Sequence, residues 1–163
     1  MLEALENITE HMVLDIYGPI HDIKYWKLCK KVIETLPKHI CVTYKGPIQG
    51  SHVPNLLNNY DFFVLLSEGE NFGHAIIEAL SAGCPVLISK NTPWKDLKRK
   101  QIGWDIETSE KETITRAFEN CMVMSENNYK QWSLKAREFA DSVKTNSQII
   151  SQSKSLLLNH VNQ

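Results

Sequence analysis

Two glutamates, Glu70 and Glu78, stand eight positions apart in the run from Ser67-Glu68-Gly69-Glu70-Asn71-Phe72-Gly73-His74 into Glu78-Ala79-Leu80. Two carboxylates so placed can accept hydrogen bonds from two neighbouring sets of hydroxyls. If the stretch between them were helical throughout, they would lie at most about 12 Å apart. Asn71, Phe72, Gly73 and His74 fall where a helix opens, so their amide N–H groups lack intrahelical partners and can meet an anion. Gly73 keeps the approach open. Each residue also has a plainer use. Glu78 serves as a solvated helix face, Glu70 as a partner of the helix dipole, and Gly73 as a tight helix–strand contact. His74, one turn before Glu78, serves as a surface imidazole paired with it.

These residues need a strand before them and a helix beneath them. The apolar run Phe62–Leu66 predicts a strand over 61–67, covered on both faces as in a parallel sheet flanked by helices. A helix over 73–82 stops at Gly83, and Pro85 opens a strand to Ser89. Upstream, Val13–Tyr17 and His39–Tyr44 read as strands around a helix that Asp22 caps and Pro37 ends. That helix has the stripe Trp26, Cys29, Val32, Ile33 and Leu36. Val53–Asn59 is a short helix with Leu56 and Leu57 facing inward. Pro93–Leu97 is a helical turn in a loop, and Gly103–Ile106 a short edge strand. Ser109-x-x-Glu112 is a capping box. It opens a helix with the stripe Ile114, Ala117, Phe118, Cys121 and Met122. Trp132–Val143 and Ile149–Val161 read as two further helices.

Strands alternating with helices across short turns predict an α/β fold, a doubly wound, Rossmann-like parallel sheet with a helical C-terminal third over 109–163. The length fits a single domain over 1–163. Leu2–Ile8 reads as the tail of a helix with no start signal, so residues 1–10 are expected to be the remnant of a truncated first βα unit. The formal net charge of −1 argues against a nucleic-acid surface. No apolar run reaches the roughly 20 residues that span a bilayer. The acidic N-terminus is not a signal peptide. Cys29, Cys41, Cys84 and Cys121 show neither metal nor disulfide spacing, and read as reduced core residues of a cytoplasmic protein. Asp105-x-Glu107 resembles half of a metal site but lies on a weak edge strand without further ligands, so it reads as solvated. No metal is expected.

The string Ser67–Gly73, with Glu78-Ala79-Leu80 and Ala82-Gly83-Cys84-Pro85-Val86, resembles the group 1 (family 4) glycosyltransferases of the two-domain GT-B fold. Glu70 and Glu78 match that family's paired glutamates. Asn71-Phe72-Gly73-His74, Thr92-Pro93-Trp94 and Gly103-Trp104-Asp105 resemble its bacterial surface-polysaccharide branch. The likeness runs over most of residues 12–126 and is to the C-terminal, nucleotide-sugar-binding half.

The resemblance implies a retaining transferase that moves a sugar from a nucleoside diphosphate donor to a glycan or lipid-linked acceptor, with no cofactor. It places Glu70 at the hexose as the catalytic residue and Glu78 at the ribose. The amides of Asn71, Phe72, Gly73 and His74 would meet the phosphates. It suggests Lys45, Ile48, Gly18 and Thr92 for the base or the pocket wall and Trp94 beside Thr92 at the pocket mouth; the more usual use of Gly18 is a turn, and of Trp94 a buried loop anchor. Two features of the family pattern are missing. The family's half begins with a strand and loop bearing an Arg and a Lys, and nothing before Lys24 supplies them. The acceptor-binding N-terminal half is absent too. The chain therefore reads as a fragment, inactive alone, lacking the central strand of its sheet. Its sheet is expected to close up or to expose two unpaired edges, with self-association or re-paired strands following. Peripheral membrane association at the inner face would run through the missing half. Two rival readings are a GT-B nucleotide-sugar epimerase and a non-catalytic interaction module.

Overall fold

The computed structural model describes the backbone of residues 1–161 and the side chains of residues 1–145. The strands are β1 (Met12–Tyr17), β2 (Ile40–Gly46), β3 (Phe63–Leu65), β4 (Val86–Ser89) and β5 (Gly103–Ile106). The helices are α1 (Ile23–Thr35), α2 (Val53–Leu57), α3 (His74–Ala82), α4 (Leu97–Lys100), α5 (Lys111–Met122) and α6 (Glu126–Val161). All strand pairings are parallel, in the α/β alternation expected. They form two sheets rather than one: β1 pairs with β2, and β3, β4 and β5 pair in that order. Of the two expected outcomes, the sheet does not close up. β1 and β3 each keep one unpaired edge, and a cavity of about 690 Å³ lies between Met12–Leu14 of β1 and Phe62 and Val64 beside and on β3. Phe118, Cys121 and Met122 of α5 and Tyr129 of α6 also line it.

β4 is the centre of the packing. All four of its residues are buried. Successive strand side chains point to opposite faces. Val86 and Ile88 therefore join Ile76, Leu80 and Ala136 on the α3–α6 face. Leu87 joins Leu5, Ile114 and Phe118 on the α5 face. The first residues take part in that second layer. Leu2–Asn7 is a 3-10 turn whose Ala4 and Leu5 are buried, and the Thr115 hydroxyl donates to the Ala4 carbonyl at 2.7 Å. A Glu3–Lys111 ion pair at 2.7 Å lies on the rim.

The β1–α1–β2 unit packs more thinly. Asp22 caps α1 as expected, its Oδ1 accepting from the Lys24 and Tyr25 amides at 2.8 and 3.0 Å. Yet no α1 residue is fully buried. Polar side chains tie this unit to the rest. The Tyr60 hydroxyl donates to Asp15 Oδ2 at 2.6 Å and meets the Tyr17 hydroxyl at 2.8 Å. Lys45 lies 3.6 Å from the same Asp15 oxygen.

Several sequence expectations need correction. β3 is only three residues long and half-buried, because one of its edges faces the cavity instead of a strand. The Ser109–Glu112 capping box does not form: α5 starts after Glu110 with no side-chain cap. The two helices expected after residue 125 are one continuous helix, α6. The expected stripe Ile149, Ile150, Leu156, Leu157 and Val161 lies outside the described side chains. Cys84 and Cys121 are buried, but Cys29 is only partly so and Cys41 is exposed. Cys41 lies on β2, whose sheet has only two strands. Asp105 is not merely solvated: its two oxygens accept from the Leu97 and Asp96 amides at 2.9 and 3.3 Å and so cap α4. Among the described residues, no helix is long and apolar enough to cross a membrane.

Candidate functional site

The turn from Ser67 to Gly73 leaves the carboxyl end of β3, the end where open α/β sheets receive ligands. The Glu70 amide donates to the Asn91 carbonyl at 3.4 Å, which ties the turn to the loop leaving β4. Gly73 then takes a left-handed conformation, φ 74° and ψ 61°, that favours glycine, and serves as the N-cap of α3. Its carbonyl accepts from the Ile76 and Ile77 amides at 2.9 and 3.4 Å, which starts the helix. A Ser or Asp at an N-cap would turn its own oxygen onto the first amides. Glycine has none to offer. Among the described residues, the amides of Asn71 through Ala75 find no hydrogen-bond acceptor. The positive end of the helix dipole adds to these donors.

Around this turn stands an aromatic wall. Phe72 is 40% exposed. Its ring lies 4.9 Å from that of His74 and 5.3 Å, edge-on, from that of Trp94. Trp94 packs in turn against Phe139 of α6 at 6.0 Å. The Ser67 hydroxyl, at the root of the turn, is buried without a partner among the described residues. Such an orphan is uncommon in a folded protein.

The expected site residues fall into three places. Glu70, Asn71, Phe72, Gly73 and His74 share the turn, Gly73 buried and the others partly or fully exposed. Glu78 lies one helical turn beyond His74, half-buried, and lines a second cavity of about 440 Å³ with Asn58, Arg137 and Lys144. No hydrogen bond or ion pair among the described residues joins His74 to Glu78, so the plain surface-pair use of that histidine is not made. Gly18 and Lys45 sit apart, at the ends of β1 and β2. The Gly18 amide donates to the Gly46 carbonyl at 3.0 Å, and its carbonyl accepts from the Tyr44 hydroxyl at 2.7 Å. Lys45 pairs with Asp15, and Ile48 follows in the next loop, half-buried. Thr92 is buried, its hydroxyl donating to the Trp94 carbonyl at 3.4 Å, so it supports the loop from within rather than facing an open pocket.

The larger cavity, between β1 and β3, is lined by none of the turn residues. Its size reflects the unpaired strand edges, and the turn residues lie outside it. The sequence reading gave Ser67 no role beyond its place in the motif and passed over Asn91 and Asn58. Ser67 and Asn91 carry no spacing signal of their own, since their places depend on where β3 and β4 end.

Comparison with known proteins bears on the family and the fold. A family model described as "Glycosyl transferases group 1" matches residues 1–139. No curated protein matches the chain. Among solved structures, Anabaena Alr3699/HepE in complex with UDP and glucose is 20% identical with a TM-score of 0.73, over 94% of this chain and 43% of that one. WaaG, a glycosyltransferase involved in lipopolysaccharide biosynthesis, is 19% identical with a TM-score of 0.67, over 86% of this chain and 38% of that one. The GtfA/B complex matches at 19% identity and a TM-score of 0.58, over 86% of this chain and 29% of that one. At these identities the likeness is one of fold. The chain spans less than half the length of each.

Proposed function

From the premise that the chain belongs to the glycosyl transferases group 1 family, we propose that it is the donor-binding part of a retaining glycosyltransferase. Such an enzyme moves a sugar from a nucleoside diphosphate to a glycan or lipid-linked acceptor in polysaccharide biosynthesis. The observation that carries this reading is the Ser67–His74 turn, which holds Glu70 and leaves the amides unpaired from Asn71 to Ala75. The donor's diphosphate lies against those amides, which neutralise leaving-group charge as the sugar departs. Glu70 faces the hexose hydroxyls near the reacting carbon. Glu78, set deeper on α3 beside a cavity, receives the ribose hydroxyls. The UDP and glucose held by HepE, a protein of the same fold, support a nucleotide-sugar donor. The enzyme acts in the cytoplasm, needs no metal, and meets its acceptor through a region outside these 163 residues.

The test is kinetic and uses the complete transferase. Glu70→Ala is expected to lower kcat/KM about a hundredfold, since it removes a group at the developing charge. Glu78→Ala is expected to lower it roughly tenfold or more, the scale of hydrogen bonds to a carboxylate. Unchanged activity in both variants overturns the assignment. A new epimer formed from a UDP-sugar without any acceptor would favour an epimerase instead.

Alone, the 163-residue chain is proposed to be inactive and to bind donor weakly. The unpaired edges of β1 and β3 favour self-association or re-pairing of strands. Light scattering is expected to find dimers or larger species. A sharp monomer with one continuous sheet would refute this.

A further inference from the structure

Trp94 reaches the turn from the loop that leaves β4. Its indole N–H donates to the Phe72 carbonyl, 22 residues earlier, at 2.6 Å. A trans peptide is planar, so the Phe72 carbonyl and the Gly73 N–H point in opposite directions. No peptide in the described chain is cis. The bond that ties the carbonyl to Trp94 therefore turns the Gly73 amide away from the indole. A side chain at Gly73 is excluded, since a Cβ there would lie 2.7 Å from Ile76 Cδ1 and 3.5 Å from the indole nitrogen.

Trp94 is held firmly enough to act as a support. The buried Thr92 donates from its hydroxyl to the Trp94 carbonyl, and its amide donates to the Ser89 carbonyl at 3.3 Å. The position thus descends from β4, the best-buried strand. On its far side the ring packs edge-on against Phe139 of α6, and on its near side it meets Phe72. Packing alone would ask only for an aromatic ring. The hydrogen bond asks for an indole, because phenylalanine has no donor and tyrosine carries its donor at the tip of a six-membered ring.

We propose that Trp94 is a positioning residue of the donor site. Its N–H fixes the Phe72–Gly73 peptide so that the Gly73 amide faces the ligand along with its unpaired neighbours. This rests on the donor-site reading above and adds to it the residue that orients the phosphate donors. Preorganised donors act without reorganising when the charge arrives. Loss of the indole N–H leaves the ring contacts in place and frees the peptide to turn.

The experiment is nitrogen-15 NMR of the complete transferase and its Trp94→Phe variant, each titrated with UDP. In the ligand-free variant the Gly73 amide resonance is expected to move and to exchange faster with solvent. UDP binding is expected to weaken roughly threefold to tenfold, the range of one hydrogen bond. An unchanged Gly73 resonance in a folded variant overturns the role of Trp94, whether or not UDP binds. A wild-type chain in which UDP shifts none of the amides from Asn71 to Ala75 overturns the donor-site reading, and the positioning role falls with it. If the variant does not fold, the wild-type Trp94 indole N–H decides. Slow solvent exchange and a shift on adding UDP support the proposal. Exchange as fast as that of a free indole overturns it.

Discussion

β4 and β1 are both parallel strands of mostly apolar residues, Val86–Ser89 and Met12–Tyr17, yet they live in different surroundings. β4 has a strand on each edge and helices on each face, and every residue in it is buried. β1 has one strand beside it, and Val13 is 59% exposed. The helices differ in the same way. α3 buries Ile76, Ile77, Ala79 and Leu80, whereas α1 buries no residue fully. A parallel strand is covered only where its edges and faces are all partnered, and apolar composition does not provide that by itself. The candidate donor turn hangs from the well-packed region, on the exits of β3 and β4. A binding site gains from that placement, because a rigid base holds its donors in position.

Glycines give the sharpest way to break this comparison. A Cβ on Gly103 would lie 2.8 Å from the Val86 nitrogen and closer still to the Val86 carbonyl. Gly103→Ala should therefore cost more than about 4 kcal/mol, the range reserved for severe steric change. A Cβ on Gly46 meets nothing within 4 Å, so only its left-handed φ of 80° resists substitution. Gly46→Ala should cost about 1–2 kcal/mol. Urea denaturation measures both, and equal losses would erase the distinction between the two regions.

Side-chain truncation gives the next largest effect. Ile88 is wholly buried on β4, so Ile88→Ala should cost about 2–5 kcal/mol through lost transfer energy and a residual cavity. Val13→Ala should stay within about 0.5 kcal/mol, as for an ordinary surface change. A large loss at Val13 would show that β1 is covered in solution.

Alkaline pH sharpens the contrast more gently. Burial pushes the thiols of Cys84 and Cys121 up to about 12, with the Asp61 carboxylate adding to the effect at Cys84. An unfolded thiol titrates near 8.5. The unfolded chain therefore loses these protons first. The stability they contribute is complete below about pH 8.5 and declines as pH rises toward 12. Thermal unfolding from pH 7 to 10 should show a flat region and then a fall. Cys121→Ser should flatten the fall, while Ser at the exposed Cys41 should leave it unchanged. A fall of equal slope in both variants would remove burial of the thiol as its cause.

Much of the fold was legible in local signals. Asp22 caps α1 with the short side chain its position calls for. Gly83 ends α3 in a left-handed conformation, φ 77°, as a glycine after a helix usually does. The Ser67–Gly73 turn was legible because its glycine and the following helix are close neighbours in the chain. What was missed depends on partners far away. The Ser109–Glu112 pattern matches a capping box, yet α5 begins elsewhere, where Thr115 can reach the Ala4 carbonyl. Asp105 looked solvated because α4, which it caps, had to be brought beside β5 first.

By itself, then, the sequence determined the order of strands and helices, the glycine turn and the two glutamates around it, because short-range sterics and hydrogen bonding decide these within a few residues. Tertiary structure alone decided that the strands divide into two sheets, that Tyr60 ties Asp15 across the divide, and that Trp94 holds the turn at Phe72. Each of these joins groups 22 or more positions apart or depends on which strand edges find a partner. No local pattern records that choice, since it is settled by the packing of the whole chain.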